Sequence, residues 1–384
     1  MTSTPQAPPA TGPTPAKAKR QGIRSWFAGL PWFIRWPVIV LVVIGAFFLP
    51  HLASVPGIGP QIVTANTAWP TALFSMTYYA LLALGLNVVV GYAGMLDLGY
   101  VGFFAIGAYT VALLTASNGI KHWSWLEAAP FGVILATFGG VLLGWPTLRL
   151  RGDYLAIVTL AFAEIIHITA NSAAFLKGNN GFTALPHPPG KHADGTPIFG
   201  LIDGTPYYYL GLVTVIVVVF AIRNLDRSRV GRSWLAIRED EEVAEVMGVR
   251  TIKYKLWAFA IGAFVAGLAG VLWAGESNYV NSDTFILQFS ILVLAGVVMG
   301  GAGNMAGAIL GGALISYIPD RLTGIAKPGW LGGSNNGTSD LSSLKFLFFG
   351  AVILLIMWFL PQGLIPSRRR AAELKDRATE VAPQ

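Results

Sequence analysis

Residues 223–255 read RNLDRSRVGRSWLAIREDEEVAEVMGVRTIKYK, from Arg223 to Lys255. This densely charged stretch lies between two strongly apolar ones. It cannot sit in hydrocarbon, because each ionised group at a bilayer centre costs several kcal/mol. It must lie in water, and its Arg and Lys residues put it on the cytoplasmic side by the positive-inside rule. The apolar segments around it must then thread a membrane so that this loop ends up inside.

Within the stretch, Gly231 and Gly248 bracket a run of helix-forming residues. Val243, Ala244 and Met247 fall at i, i+1 and i+4 and so share a helical face. Glu241, Glu242 and Glu245 lie on a different, acidic side. A short helix with an apolar ridge and a charged flank suits a groove on a soluble partner. On charge alone, a solvated loop that keeps the topology right is the simpler reading of the stretch.

Composition widens the argument to the whole chain. Of 384 residues, 54% are hydrophobic and only 12% charged, and apolar runs of spanning length recur. That predicts an all-α polytopic membrane protein. The runs are continuous rather than alternating, which excludes a β-barrel. The net charge of +7 comes from basic residues beside apolar runs, where they orient the chain, and does not indicate nucleic-acid binding. Cysteine is absent, so there is no disulfide, thiolate nucleophile or cysteine metal site.

Residues 1–36 are expected to form a disordered, basic cytoplasmic tail rich in Pro, Thr and Ala, followed by an interfacial segment. In that segment Arg24 and Arg35 flank Trp26, Trp32 and Trp36. Residues 37–361 form the transmembrane domain and 362–384 a second basic cytoplasmic tail. About ten spans are expected, near 37–52, 69–91, 98–116, 129–146, 154–174, 206–223, 256–275, 285–301, 304–319 and 344–361. With both termini inside, Arg149, Arg151, the 223–255 loop and Arg368–Arg370 all fall on the cytoplasmic side. The opposite loops carry only scattered Lys121, Lys177, Lys191, Arg321 and Lys327.

Two glycine-crowded turns interrupt this scheme: GYAGMLDLG at 91–99 and MGGAGNMAG at 299–307. Each suits a tight helical hairpin or a broken, re-entrant helix. Gly303, Gly307 and Gly311 are spaced by four, as are Gly262, Ala266 and Gly270. Such stripes bring helices close, either within the chain or at a subunit interface.

Four polar residues are candidates for a translocation path. Glu164 and His167 fall three apart in the middle of an apolar run, on one helical face. An ionisable pair at that depth should face the bundle interior or a water-filled path. A structural hydrogen bond between helices is the alternative, and no further ligand joins the pair to make a metal site. Asn87 and Thr159 either line a path or bond to neighbouring helices. Asp97 is placed to cap the helix that follows it.

No G-x-x-x-x-G-K-[ST] phosphate loop, H-E-x-x-H zinc motif or G-x-S-x-G nucleophile turn occurs. The chain is not expected to hydrolyse ATP or to be an enzyme. The classes that remain are a permease driven by a separate ATPase and a self-sufficient secondary transporter or channel, with an intramembrane enzyme little supported.

The residues also carry a resemblance. Glu242, Ala244 and Gly248 match the glutamate-alanine-alanine, three residues, glycine pattern of ABC importer permeases, with Val243 in place of the middle alanine. Residues 231–274, 91–114, 148–168 and 289–315 resemble branched-chain amino acid permeases of the LivM type. The resemblance does not extend to the N-terminal tail or to residues 175–205 and 320–343. It implies a type II ABC importer permease-like fold. It implies that Arg238, Glu239, Asp240, Glu242, Ala244, Met247 and Gly248 form or support a coupling helix docked on an ATP-binding subunit. It further implies two ATP-binding subunits holding ATP and Mg²⁺, with no cofactor on this chain. A second, LivH-type permease, an extracytoplasmic binding protein and a bacterial cytoplasmic membrane complete the expectation. Leucine, isoleucine and valine are the expected substrates, with urea or short amides as the runner-up.

Overall fold

The computed structural model describes residues 43–54, 68–148, 153–190, 197–200 and 203–324, together with residue 41 and short pieces between 350 and 365. The tail at 1–36, most of the expected span at 344–361 and most of the tail at 362–384 lie outside the described residues.

The apolar runs form helices. We number them α1 (Trp69–Leu86), α2 (Tyr100–Thr115), α3 (Trp125–Thr147), α4 (Asp153–Ser172), α5 (Thr205–Arg227), α6 (Arg229–Glu239), α7 (Glu241–Val246), α8 (Thr251–Glu276), α9 (Leu287–Gly300) and α10 (Met305–Gly324). A short apolar helix, Val43–Leu52, precedes them. Among the described residues, six helices are long and apolar enough to cross a membrane: Trp69–Tyr92, Trp125–Thr147, Tyr154–Ser172, Thr205–Arg227, Thr251–Glu276 and Ser282–Gly300. The protein is therefore a polytopic helical membrane protein. The sixteen residues of α2 rise only about 24 Å, short of a typical ~30 Å hydrocarbon core.

Helix α8 is the centre of the packing, against α3, α2 and α1. Its small residues allow this. Gly262 lies under Val89 and Tyr100, whose hydroxyl donates to Gly262 O at 3.2 Å. Ala266 is fully buried, and Gly270 lies on the backbone of Phe104. This stripe thus faces neighbours within the chain.

The glycine-rich turn near 300 is a tight hairpin between α9 and α10. A side chain on Gly300 would collide with the carbonyl of Gly307, and one on Gly311 with that of Gly296. The two backbones touch, which is the close approach that small residues permit. Gly303 does not belong to that stripe. It sits in the turn before α10, with φ +85°.

The turn near 91 is built differently. After Leu86 the helix α1 widens into a π-helical turn, Asn87–Tyr92, and residues 93–99 then form an irregular link to α2. Asp97 does not cap α2 as expected. Its Oδ1 accepts from the N–H of Gly99, two residues on, which shapes the link itself. The buried start of α2 is capped from afar: Ser290 Oγ of α9 accepts from the Val101 N–H at 3.0 Å.

At the opposite end of the bundle, residues 173–190 after α4 pack onto the helices. Phe182 and Thr183 form β1, paired antiparallel with β2, Tyr279 and Val280, in the register Phe182↔Val280. Phe182 is fully buried, edge-on to Tyr109. His187 lies 3.1 Å from Gly275 O and 2.7 Å from the Tyr207 hydroxyl.

Candidate functional site

The charged stretch folds as two helices, α6 and α7, rather than one. Asp240 divides them. Its extended backbone (φ −157°, ψ 115°) breaks the helix, and its Oδ1 caps α7 by accepting from the Val243 N–H at 3.0 Å. Gly248 closes α7. Its φ of +87° is the left-handed region that favours glycine, and no atom lies within 4 Å of the position a Cβ would take. Val249 N–H donates to Ala244 O, and Gly248 N–H to Glu245 O. These two bonds make a Schellman cap. The glycine of the motif is thus required by backbone conformation and not by space.

Three bonds pin this hairpin to the membrane helices. Trp234 Nε1 of α6 donates to Tyr254 O at 2.7 Å. Glu241 of α7 pairs with Lys255 of α8 at 2.5 Å. The Arg238 guanidinium donates to Gly91 O, and its stem packs on Gly94. Through Gly91 it reaches the π-helical turn, whose first residue, Asn87, accepts from the Gly303 N–H at 2.8 Å.

What the hairpin leaves exposed includes an apolar ridge among acidic residues. Val243, Val246 and Met247 are 58%, 87% and 79% exposed. The ridge differs by one residue from the sequence reading: Ala244 is buried against the bundle, and Val246 takes its place outside. Glu239 and Glu242 each have a partner and flank this ridge.

The path candidates separate. Thr159 is fully buried, and its hydroxyl accepts from the Leu98 N–H at 3.1 Å, so it buttresses the α1–α2 link. Asn87 is also fully buried, in the contact with Gly303. His167 lies 3.1 Å from Ser282 O. Glu164 is exposed and does not face the bundle interior. Spacing of three set the angle between the two side chains but not their neighbours. Within the chain α4 packs chiefly against α2 and to a lesser extent α3, which leaves its Glu164 face open.

Asp97 lies in the link beside Thr159. Burial pushes its carboxyl up to about 6, partly offset by the bond from Gly99. Its Oδ2 has no hydrogen-bond partner among the described residues; the nearby Thr159 hydroxyl donates instead to Ala156 O.

A cavity of about 230 Å³ opens between α1, α9 and α10. Its walls include Tyr79, Phe289, Leu292 and Ile315, with Asp283 and Gln288 among its polar lining residues. Sequence reading missed it, because its walls come from three separate segments.

Comparison with known proteins fixes the class. Residues 70–357 match the family described as branched-chain amino acid transport system / permease component, and the chain belongs to this family of ABC transporter permeases. It is 38% identical over 320 residues to the high-affinity branched-chain amino acid transport system permease protein LivM of Escherichia coli (strain K12), covering 79% of this chain and 71% of that one. It is 38% identical over 340 residues to LivM of Salmonella typhimurium (strain LT2), covering 82% and 76%. The autoinducer 2 import system permease protein LsrC of Yersinia pseudotuberculosis is more distant, 26% identical over 272 residues, covering 69% and 73%. No solved structure matches the chain.

Proposed function

We propose that this chain is a permease subunit of an ABC importer for branched-chain amino acids in a bacterial cytoplasmic membrane. The observation that carries the reading is its 38% identity with LivM over about four-fifths of the chain. The cavity between α1, α9 and α10 supports the same substrate class, since Leu292, Ile315 and Phe289 suit an aliphatic side chain better than urea.

In this reading about ten spans place both termini and α6–α7 in the cytoplasm. Two ATP-binding subunits hold ATP and Mg²⁺, and α7 docks on one of them through Val243, Val246 and Met247. Arg238, Glu239, Asp240, Glu242, Ala244 and Gly248 form or support that element. The exposed hydrophobic ridge supports such a partner, because α7 is too short to hold its shape without contacts. A second permease of the LivH type forms the other half of the path. The exposed Glu164, midway along α4, supports a protein neighbour there, since a carboxylate facing hydrocarbon is costly. A binding protein delivers substrate to the opposite face.

The test is uptake of labelled leucine and of labelled urea, at low concentration, in cells with and without the chain. Loss of leucine uptake alone is expected. Loss of urea uptake alone would replace the substrate while keeping the architecture. For the docking element, Met247→Glu is expected to abolish co-purification of the ATP-binding subunit; undiminished co-purification would refute it.

A further inference from the structure

Arg238 of the α6–α7 hairpin and Asn87 of the π-helical turn belong to one linkage. Arg238, in the last turn of α6, donates to the carbonyl of Gly91. Gly91 lies in the π-helical turn 87–92, an irregularity frequent at functional sites. A side chain on Gly91 would collide with Asn87 Oδ1 and come 2.5 Å from Gly303 N, so Gly91 is what lets these groups meet. Asn87 Oδ1 then accepts from the Gly303 N–H, 216 residues away in sequence. The turn that Gly303 occupies holds a further segment: Asn304 Nδ2 donates to Ile365 O at 2.8 Å, and Ile365 N–H to Gly300 O.

We propose that Asn87 is the positioning residue that transmits the position of the α6–α7 hairpin to the α9–α10 turn, through Arg238 and the π-helical turn. This rests on the reading of α6–α7 as the element docked on the ATP-binding subunit. Two features distinguish the linkage from ordinary packing. The first is that the bonds of the π-helical turn span five residues rather than four, so it can tighten to α-helical pitch and draw Asn87 along the axis without breaking α1. The second is that the buried Nδ2 of Asn87 has no partner among the described residues. The bond from Gly303 to Oδ1 fixes the amide orientation, so turning the amide over would give up that bond. An arrangement of the turn that also gave this donor a partner would be the second position that a two-state element requires. Arg238 pulls on one end of the turn and Gly303 is held at the other, so a displacement of α6 reaches the hairpin directly.

The experiment uses the assembled transporter in proteoliposomes with its binding protein, and measures leucine uptake and ATP hydrolysis in parallel. The chain lacks cysteine, so labels placed through Arg232→Cys, exposed on α6 and outside the docking ridge, and Met305→Cys report the distance between the α6–α7 hairpin and the α9–α10 hairpin. In Asn87→Leu, assembly and basal hydrolysis are expected to persist, while leucine transported per ATP falls about tenfold. The ATP-dependent change in the labelled distance should disappear. Arg238→Leu keeps the stem over Gly94 and loses the bond to Gly91; it should show the same loss of distance change. Unaltered transport per ATP and an unaltered distance change in Asn87→Leu would overturn the proposal while leaving the docking element intact. Failure of both variants to assemble would also overturn it, because the contacts would then only hold the fold. If Met247→Glu left the ATP-binding subunit bound, the docking reading itself would fall, independently of Asn87.

Discussion

Lys255 Nζ lies 2.5 Å from Glu241 Oε1, with the lysine side chain 5% exposed and the glutamate 27%. The pair ties the first residue of α7 to the first turns of α8. Removing the carboxylate leaves a buried ammonium without its counter-charge. Glu241→Gln is expected to cost roughly 2 kcal/mol, less than for a fully buried pair because Glu241 is partly solvated. Lys255→Met, which fills the same space with no charge, should cost less. Thermal unfolding in detergent checks the order; an equal or larger loss in Lys255→Met would contradict it.

Gly248 tests the cap. Its left-handed backbone has open space around it, so the penalty of a side chain comes from conformation alone. Gly248→Ala should destabilise the end of α7 by about 1 kcal/mol, and Gly248→Asn by less. Hydrogen exchange at the Val249 amide, which bonds to Ala244 O, reports the loss directly. Unchanged protection in the alanine variant would show that the cap is not needed.

Ser290 carries a prediction about a distant helix. Its hydroxyl is the acceptor for the buried Val101 N–H of α2. Ser290→Ala strands that donor and should cost roughly 1–3 kcal/mol. Exchange should quicken at Val101 and in the first turn of α2, and not across α9, where the mutation lies. Loss of protection confined to α9 would count against the assignment.

Asp97 predicts a pH dependence. Burial raises its carboxyl from its ordinary 3.8 to about 6, so the folded state binds the proton more tightly than the unfolded state does. The stability contributed by protonation is fully present below about 4 and is lost as pH rises through 6. Above that pH the buried carboxylate costs roughly 3 kcal/mol relative to its neutral form. Asp97→Asn keeps an oxygen for the Gly99 N–H and removes the titration. The melting temperature of the variant relative to the native chain should therefore rise between pH 4 and pH 7. Parallel melting curves across that range would rule the effect out.

Much of the fold was legible because hydrocarbon leaves so few options: apolar runs of spanning length became helices at nearly every expected position. Some boundaries were readable and missed. The Ser124-x-x-Glu127 capping box starts α3 at Trp125, several residues before the expected span. Asp240 likewise carries an N-cap signal inside what was read as one helix. Gly248 was legible, since a glycine just past a helix marks a left-handed cap. The partners of Ser290 and Asn87 were not, because they lie 189 and 216 residues away and no local pattern encodes them. For Glu164 and His167, spacing set their common face and not which neighbour covers it.

The two-residue ladder between β1 and β2 has a mechanical consequence. It stitches the segment after α4 to the segment after α8 by backbone bonds, with Phe182 sealed beneath it. Asn118 adds a tack from the end of α2, donating to Gly181 O at 3.3 Å. These three connections cannot swing apart one at a time. Any opening at that end of the bundle has to proceed as the lifting of a single hem, or else tear the ladder first.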